Sequence, residues 1–151
     1  MSFLDHYFEF AHQFDMDVRE ILLSESAEEV KDIMQEQLND VVYSYDASPQ
    51  AMESRRYENG GLADRANMVA HLEPGLTLVV ENIAPFQEAA LNREAEDDLS
   101  DVVEKGIRGY NQPGPRPFVA STEAECVTSG RVLKSINNGL TARGYKIEKE
   151  A

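Results

Sequence analysis

Apolar residues return every three or four positions over the first third of the chain. Leu4, Tyr7, Phe8, Ala11, Phe14, Val18, Ile21 and Leu22 form one stripe, which predicts a helix over residues 3–23. Ser2 stands where an N-cap belongs, and Asp5 lies in the first turn, where the helix dipole favours an acid. Ser24-Glu25-Ser26 interrupts the pattern, and Ser26-Ala-Glu-Glu29 has the form of a capping box. A second helix is therefore expected over 27–45, with Val30, Ile33, Met34, Gln37, Leu38, Val41, Val42 and Tyr45 on its stripe. So short a link predicts an antiparallel helix pair, closed by Ser48-Pro49.

The period then changes. Residues 50–67 mix charge with Asn59-Gly60-Gly61 and read as a loop, with a short strand near Arg56–Glu58 and a turn of helix after Leu62. Met68–Leu72 and Leu76–Asn82 are short, apolar and rich in β-branched residues, and Glu73-Pro74-Gly75 lies between them. Proline followed by glycine suits a type II turn, so the 68–82 segment is expected to be a hairpin. Leu76, Leu78 and Val80 would share one face and Thr77, Val79 and Glu81 the other. Residues 87–98 are acidic and carry no apolar period, which predicts an exposed, mobile excursion. Val102-Val103 reads equally as a buried strand or as a turn of helix.

Pro113-Gly-Pro-Arg-Pro117 places three prolines within five residues. Each fixes φ near −65° and removes a backbone donor, so the loop is stiff and extended. It holds its flanking elements at a set distance. Beyond it, Thr122-Glu-Ala-Glu125 repeats the capping-box form, and Cys126, Ser129, Leu133, Ile136 and Leu140 mark one long helix over 119–143. Ser129 and Gly130 are small enough to let a neighbour approach. Gly144 suits the C′ position, and Tyr145-Lys-Ile147 reads as a final strand. The expected architecture is a single α+β domain over 1–151: a helical hairpin at 1–46, a small antiparallel sheet with loops at 54–118, and the C-terminal helix.

Charge sharpens this picture. The chain of 151 residues has a formal charge of −14. Residues 1–53 hold 13 acids against Arg19 and Lys31, or −11, leaving −3 for the remainder. No basic footprint for nucleic acid exists, and phosphate would be repelled. Most such acids form a solvated helical face. A basic protein partner, or a wall past which DNA slides, are the sharper readings. No apolar run approaches the length of a membrane span. The opening Met-Ser-Phe-Leu-Asp-His-Tyr has no basic or apolar leader, so no export signal is expected. One cysteine, Cys126, fits a reducing cytosolic assembly site.

Little points to catalysis. His6 and His12 lie six apart on a helix and face different ways, so they cannot chelate together. Cys126 has no CxxC partner. Asp15, Asp17 and Glu20 lack the glycine and the frame of a calcium loop. Glu94, Glu96, Asp97 and Asp98 crowd a polar excursion instead of a cleft. Neither Gly60-Gly61 nor Gly106-Ile-Arg-Gly109 has phosphate-loop spacing. No enzyme activity, cofactor or metal is expected.

Val102-Val-Glu-Lys-Gly106, followed by Pro115-Arg-Pro-Phe118 and a C-terminal helix, resembles the tail-completion (head–tail joining) neck proteins of tailed bacteriophages, typified by the gene-10 product of a lambdoid coliphage. Members show a Val-Glu-aromatic-Gly-Thr run, then a loop, then Pro-Arg-Pro-Phe or Ala-Arg-Pro-Phe leading into a helix that carries Thr or Pro; here that residue is Thr122. Gly61-Leu62 and residues 68–82 stand for the family's turn and hairpin. Lys105 replaces the usual aromatic, and Ile107 stands where Thr is usual. The resemblance implies a non-catalytic virion protein, assembled in the host cytoplasm as a homo-oligomeric ring between head-completion or connector proteins and tail proteins. Genomic DNA would pass close by without specific binding, and no membrane would be involved. Arg108, Tyr110, Pro113, Pro115, Arg116, Pro117 and Phe118 become the candidate interaction residues. The competing reading is an acidic DNA mimic or inhibitor that binds a basic protein partner.

Overall fold

The structure, a computed structural model, describes residues 2–44, 59–85, 103–105 and 115–148. Its class is α+β: an N-terminal helical region, a two-stranded antiparallel sheet and C-terminal helices. The first element, α1, spans Phe3–Ile21, and α2 spans Ala27–Gln37. Ser2 caps α1 through a reciprocal box: its Oγ accepts from the Asp5 amide at 3.3 Å, and its own amide donates to Asp5 Oδ2 at 2.6 Å.

The expected reversal at Ser24–Ser26 does not occur. Leu22–Ser26 forms a π-helical turn, and Ile21, Leu22, Ser26 and Ala27 all keep right-handed helical angles. A second π turn, Leu38–Tyr43, extends α2. Residues 3–43 are thus one helical rod, about 60 Å long at about 1.5 Å per residue. The physical reason lies in what the serines do. Ser24 Oγ donates back to the Glu20 carbonyl at 2.6 Å. Ser26 is fully buried and accepts from Ser135 Oγ at 3.0 Å instead of capping a helix. A serine inside a helix can bond backwards as readily as it can cap.

The antiparallel partner of the rod comes from the other end of the chain. Helix α3 spans Phe118–Thr128 and α4 spans Arg131–Ala142. The single C-terminal helix is therefore two, parted at Ser129-Gly130, where Gly130 takes φ +67°. Thr122 lies inside α3 and donates to the Phe118 carbonyl at 2.7 Å, so it is not a cap. Going along α4, Arg131 meets Glu29 and Glu36, Ser135 meets Ser26, Arg143 meets Glu25, and Tyr145 meets Asp17. That order runs backwards along the rod. The approach is close because position 139 has no side chain. A Cβ on Gly139 would press on Glu25 Oε2 and sit 2.8 and 2.9 Å from Ile21 Cγ1 and Cγ2. Gly144, at φ +89°, ends α4: its amide bonds the Thr141 carbonyl at 3.0 Å and the Tyr145 amide bonds Leu140 at 3.1 Å. Residues 145–148 form no strand.

The hairpin forms as the alternation predicts. Strands β1 (Met68–Glu73) and β2 (Thr77–Asn82) pair in register Met68 to Asn82 through Glu73 to Thr77. Gly75 takes φ +86°, and Leu76, expected in the strand, sits in the turn at φ +62°. A turn of 3₁₀ helix, Arg65–Asn67, leads in, capped by Asp64. Buried Asn82 donates to the Leu62 carbonyl at 2.7 Å and accepts from the Ala84 amide at 3.1 Å, which ties the preceding loop to the strand. Met34, Leu38, Val42, Leu62, Met68, Ala84, Val103 and Phe118 close one apolar core between rod, hairpin and α3. Val103–Lys105 is helical, which resolves the ambiguity at Val103. The short strand expected at Arg56–Glu58 and the 87–98 excursion lie outside the described residues.

Candidate functional site

Two features stand apart from ordinary core packing. The first is the segment around Pro115–Phe118. Pro117, at φ −77° and ψ 64°, is the centre of a tight turn in which the Phe118 amide bonds the Arg116 carbonyl at 2.8 Å. The Arg116 amide donates to the Val103 carbonyl at 3.0 Å. Its guanidinium reaches Val42 at 2.9 Å, satisfying a carbonyl left over at the end of the rod. Glu104 faces the other way. Its carboxylate accepts from the amides of Val119 and Ala120 at 2.9 and 3.2 Å, and so caps α3 from outside. Rod end, helix start and the Val103 turn are thereby bound into one corner.

That geometry sorts the sequence-derived candidates. Pro115 and Pro117 are exposed, and Arg116 is half-buried against Val42. Phe118 is fully buried in the core, so it anchors the segment and has no surface to offer in the isolated chain. Arg108, Tyr110 and Pro113 lie outside the described residues. Glu104, which sequence reading passed over, is an α3 cap drawn from fourteen residues upstream of Phe118. No local motif announces such a contact.

The second feature is the free half of α1. Leu4, Tyr7 and Phe8 are 60%, 57% and 65% exposed, and Phe3 and Phe10 are exposed too. Five of the chain's twelve Phe and Tyr residues lie between positions 3 and 14, a density of exposed rings unusual for a solvated helix. At about 100° per residue, Phe3, Leu4, Tyr7, Phe8, Phe10, Ala11 and Phe14 fall in an arc roughly 160° wide, opposite Asp5, His6, Glu9 and Gln13. Sequence periodicity predicts Leu4, Tyr7, Phe8, Ala11 and Phe14 on one stripe, and Phe3 and Phe10 widen it. The structure covers only its later part. Tyr145 closes edge-on over Phe14 and Phe10, with ring centroids 5.2 and 6.3 Å apart, and no described element lies over the stripe before that point.

The acids of the rod have distinct uses. Arg131 bridges Glu29 and Glu36, each at 2.6 Å. Arg143 pairs with Glu25 and Glu20 at 3.0 and 3.4 Å. Arg65 pairs with Glu28 and Asp32. Bonds from Lys31 and then Arg65 hold the Glu28 carboxyl below the usual carboxylate range. Asp17 is likewise lowered, first by the Tyr145 hydroxyl at 2.6 Å and then by Gln13. Much of the acidic face thus fastens the rod to Arg131 and Arg143 at the two ends of α4 and to the 65–67 turn.

Conventional chemistry is sparse. Burial pushes the Cys126 thiol up, away from nucleophilic character. His6 lies beside Glu9 at 4.0 Å, both exposed. Among the described residues, no group of three or more His, Cys, Asp or Glu is placed to hold a metal ion, and no helix is long and apolar enough to cross a membrane. A protein-family model, YomN, matches residues 9–142. No curated protein and no solved structure matches the chain.

Proposed function

We propose a function from one premise: this chain belongs to the YomN family, which is phage-associated. The reading is a structural virion protein of a tailed phage. It acts without catalysis as a ring-forming neck or tail-completion component at the head–tail junction. The observation that carries it is the uncovered aromatic half of α1, a surface that makes sense only when another surface meets it. The corner built by Glu104, Arg116 and Phe118 adds support, because it fixes the exposed prolines at a defined place on the surface. Neighbours in this reading are further copies of the chain and the adjoining head and tail proteins. An acidic wall would let DNA pass without adhering.

The competing reading, an acidic DNA mimic or inhibitor on a basic protein, is weakened by the internal pairing of Glu20, Glu25, Glu28, Glu29, Asp32 and Glu36. Deleting the gene in the phage tests the choice. The proposal expects filled heads and separate tails, with joining restored by added protein. Joined, infectious particles without the protein would refute it. Salt-sensitive binding to a basic enzyme, abolished by Asp→Asn and Glu→Gln changes in residues 1–53, would favour the competitor.

A further inference from the structure

The chain contains two Asn-Gly pairs, Asn59-Gly60 and Asn138-Gly139. Such a pair sets an electrophile beside a nucleophile that no side chain shields. The glycine nitrogen can attack the asparagine side-chain carbon, Cγ, and close a succinimide ring. Whether it does so depends on the backbone, which must bring that nitrogen onto the face of the carbonyl. Both asparagines are exposed, so exposure does not distinguish the pairs. Their backbones do.

Asn138 lies inside α4, and Gly139 is buried, with Ile21 and Glu25 against it. A helix holds ψ at about −42° and turns each N–H along its axis into the ladder, away from the Cγ of the preceding residue. The rod braces α4 on both sides of this pair: Ser135 meets Ser26, and Arg143 meets Glu20 and Glu25. Reaction at Asn138 would require α4 to unwind. Asn59 and Gly60 lie in a turn outside any helix or strand, with Gly60 at φ +78°. The Gly60 amide donates to the side chain of Asp64 at 2.8 Å and not to a helix carbonyl. A bond of that kind, in an exposed turn, opens without the core being breached.

We propose that Asn59 is a site of spontaneous covalent modification, at which the chain attacks itself and an exposed amide becomes a carboxylate. The Gly60 nitrogen forms a bond to Asn59 Cγ and gives up its proton to solvent. The Cγ–Nδ2 bond breaks, and the leaving nitrogen takes up a proton and departs as ammonia. Water then opens the succinimide. Cleavage at Cγ leaves aspartate; cleavage at the main-chain carbonyl leaves isoaspartate, with the chain now running through the side chain. Nothing is oxidised or reduced, and water is the only co-reactant. Either product adds a negative charge to a chain already at −14. Isoaspartate also lengthens the main chain just ahead of Gly61, whose carbonyl accepts from the Asp64 amide at 3.2 Å and from Asn67 Nδ2 at 2.9 Å. That loop carries Leu62 and Ala63 into the core.

The test follows the freshly purified full-length chain at neutral pH and growth temperature, once folded and once in guanidinium chloride. Peptide mapping by mass spectrometry reads the conversion of amide to acid at each asparagine, and chromatography separates aspartate from isoaspartate. In denaturant the two pairs are expected to convert at similar rates. In the folded chain Asn59 is expected to convert at least about tenfold faster than Asn138, giving both acidic products. Asn59→Gln, whose longer arm closes a ring far less readily, is expected to abolish the acidic shift on ion exchange; Asn138→Gln is expected to leave that shift unchanged. Three results would each overturn the proposal. The first is an Asn59 that stays intact in the folded chain over the period in which the denatured chain converts. The second is equal conversion of Asn59 and Asn138 in the folded chain. The third is aspartate without isoaspartate at position 59, which would mean direct hydrolysis and no ring.

Discussion

The two halves of the 3–43 rod carry the same repeat and meet different fates. From Ile21 to Tyr43 the stripe is roofed by α4, α3 and the hairpin, and Ile21, Ile33, Met34, Leu38 and Val42 are almost wholly inaccessible. From Phe3 to Ala11 the stripe continues into solvent. The lesson is that a hydrophobic period names a face and not its partner. The covered half owes its place to features outside the period: a glycine at 139 and arginines at 131 and 143. The uncovered half lies past the end of α4, which Gly144 terminates.

The contrast can be broken first at its buried end. Phe118→Ala removes a fully buried ring from the core, and should cost about 3–5 kcal/mol in denaturant unfolding. A loss under about 1 kcal/mol would mean that the corner is not packed as described. Next comes Gly139→Ala. In an exposed helix that change is stabilising by about 1 kcal/mol. Here the new methyl meets Ile21 and Glu25, so a loss of about 1–3 kcal/mol is expected. A gain in melting temperature would show that α4 does not lie close to the rod.

A smaller effect is expected at the α3 cap. Glu104→Ala strips both amide bonds at the start of the helix and should cost about 1 kcal/mol; chemical denaturation checks it. Pro115→Ala with Pro117→Ala should weaken assembly more than the fold, since both prolines are exposed. A large drop in melting temperature with normal assembly would contradict that.

The smallest effect is a pH response where the two halves meet. The Asp17 carboxyl is lowered by Tyr145 and Gln13, and the Tyr145 hydroxyl is raised by Asp17 and by burial. A lowered acid contributes stability above its unfolded pKa and loses it as pH falls through the folded value. A raised phenol contributes below its unfolded pKa and loses it as pH rises through the folded value. The contact should therefore be intact between the carboxylate and phenol ranges and loosen at both ends. Tyr145→Phe should move the Asp17 titration upward, which carboxyl NMR can follow. An unmoved titration would remove this contact from the account.

Local chemistry was legible where it is self-contained. The Ser2–Asp5 cap, the Gly144 terminus and the Met68–Asn82 hairpin each follow from residues a few positions apart. The errors have a common origin. Ser26 and Thr122 each begin a capping-box pattern, yet each hydroxyl bonds elsewhere because burial and the helix backbone supply better partners. Rod continuity through Ser24-Glu25-Ser26 rests on α4 lying alongside, a contact more than a hundred positions away. The corner residues were partly legible: the prolines marked a stiff segment, but neither the Arg116 bond to Val42 nor the Glu104 cap has a sequence signature.

Amide hydrogen exchange along the rod, at low and high protein concentration, tests the central claim most directly. Amides of residues 21–43 should exchange slowly at both concentrations, while those of residues 6–14 should exchange fast when dilute and slow markedly as copies meet. Equal protection of residues 6–14 at both concentrations would contradict the claim that this half of the helix waits for another surface.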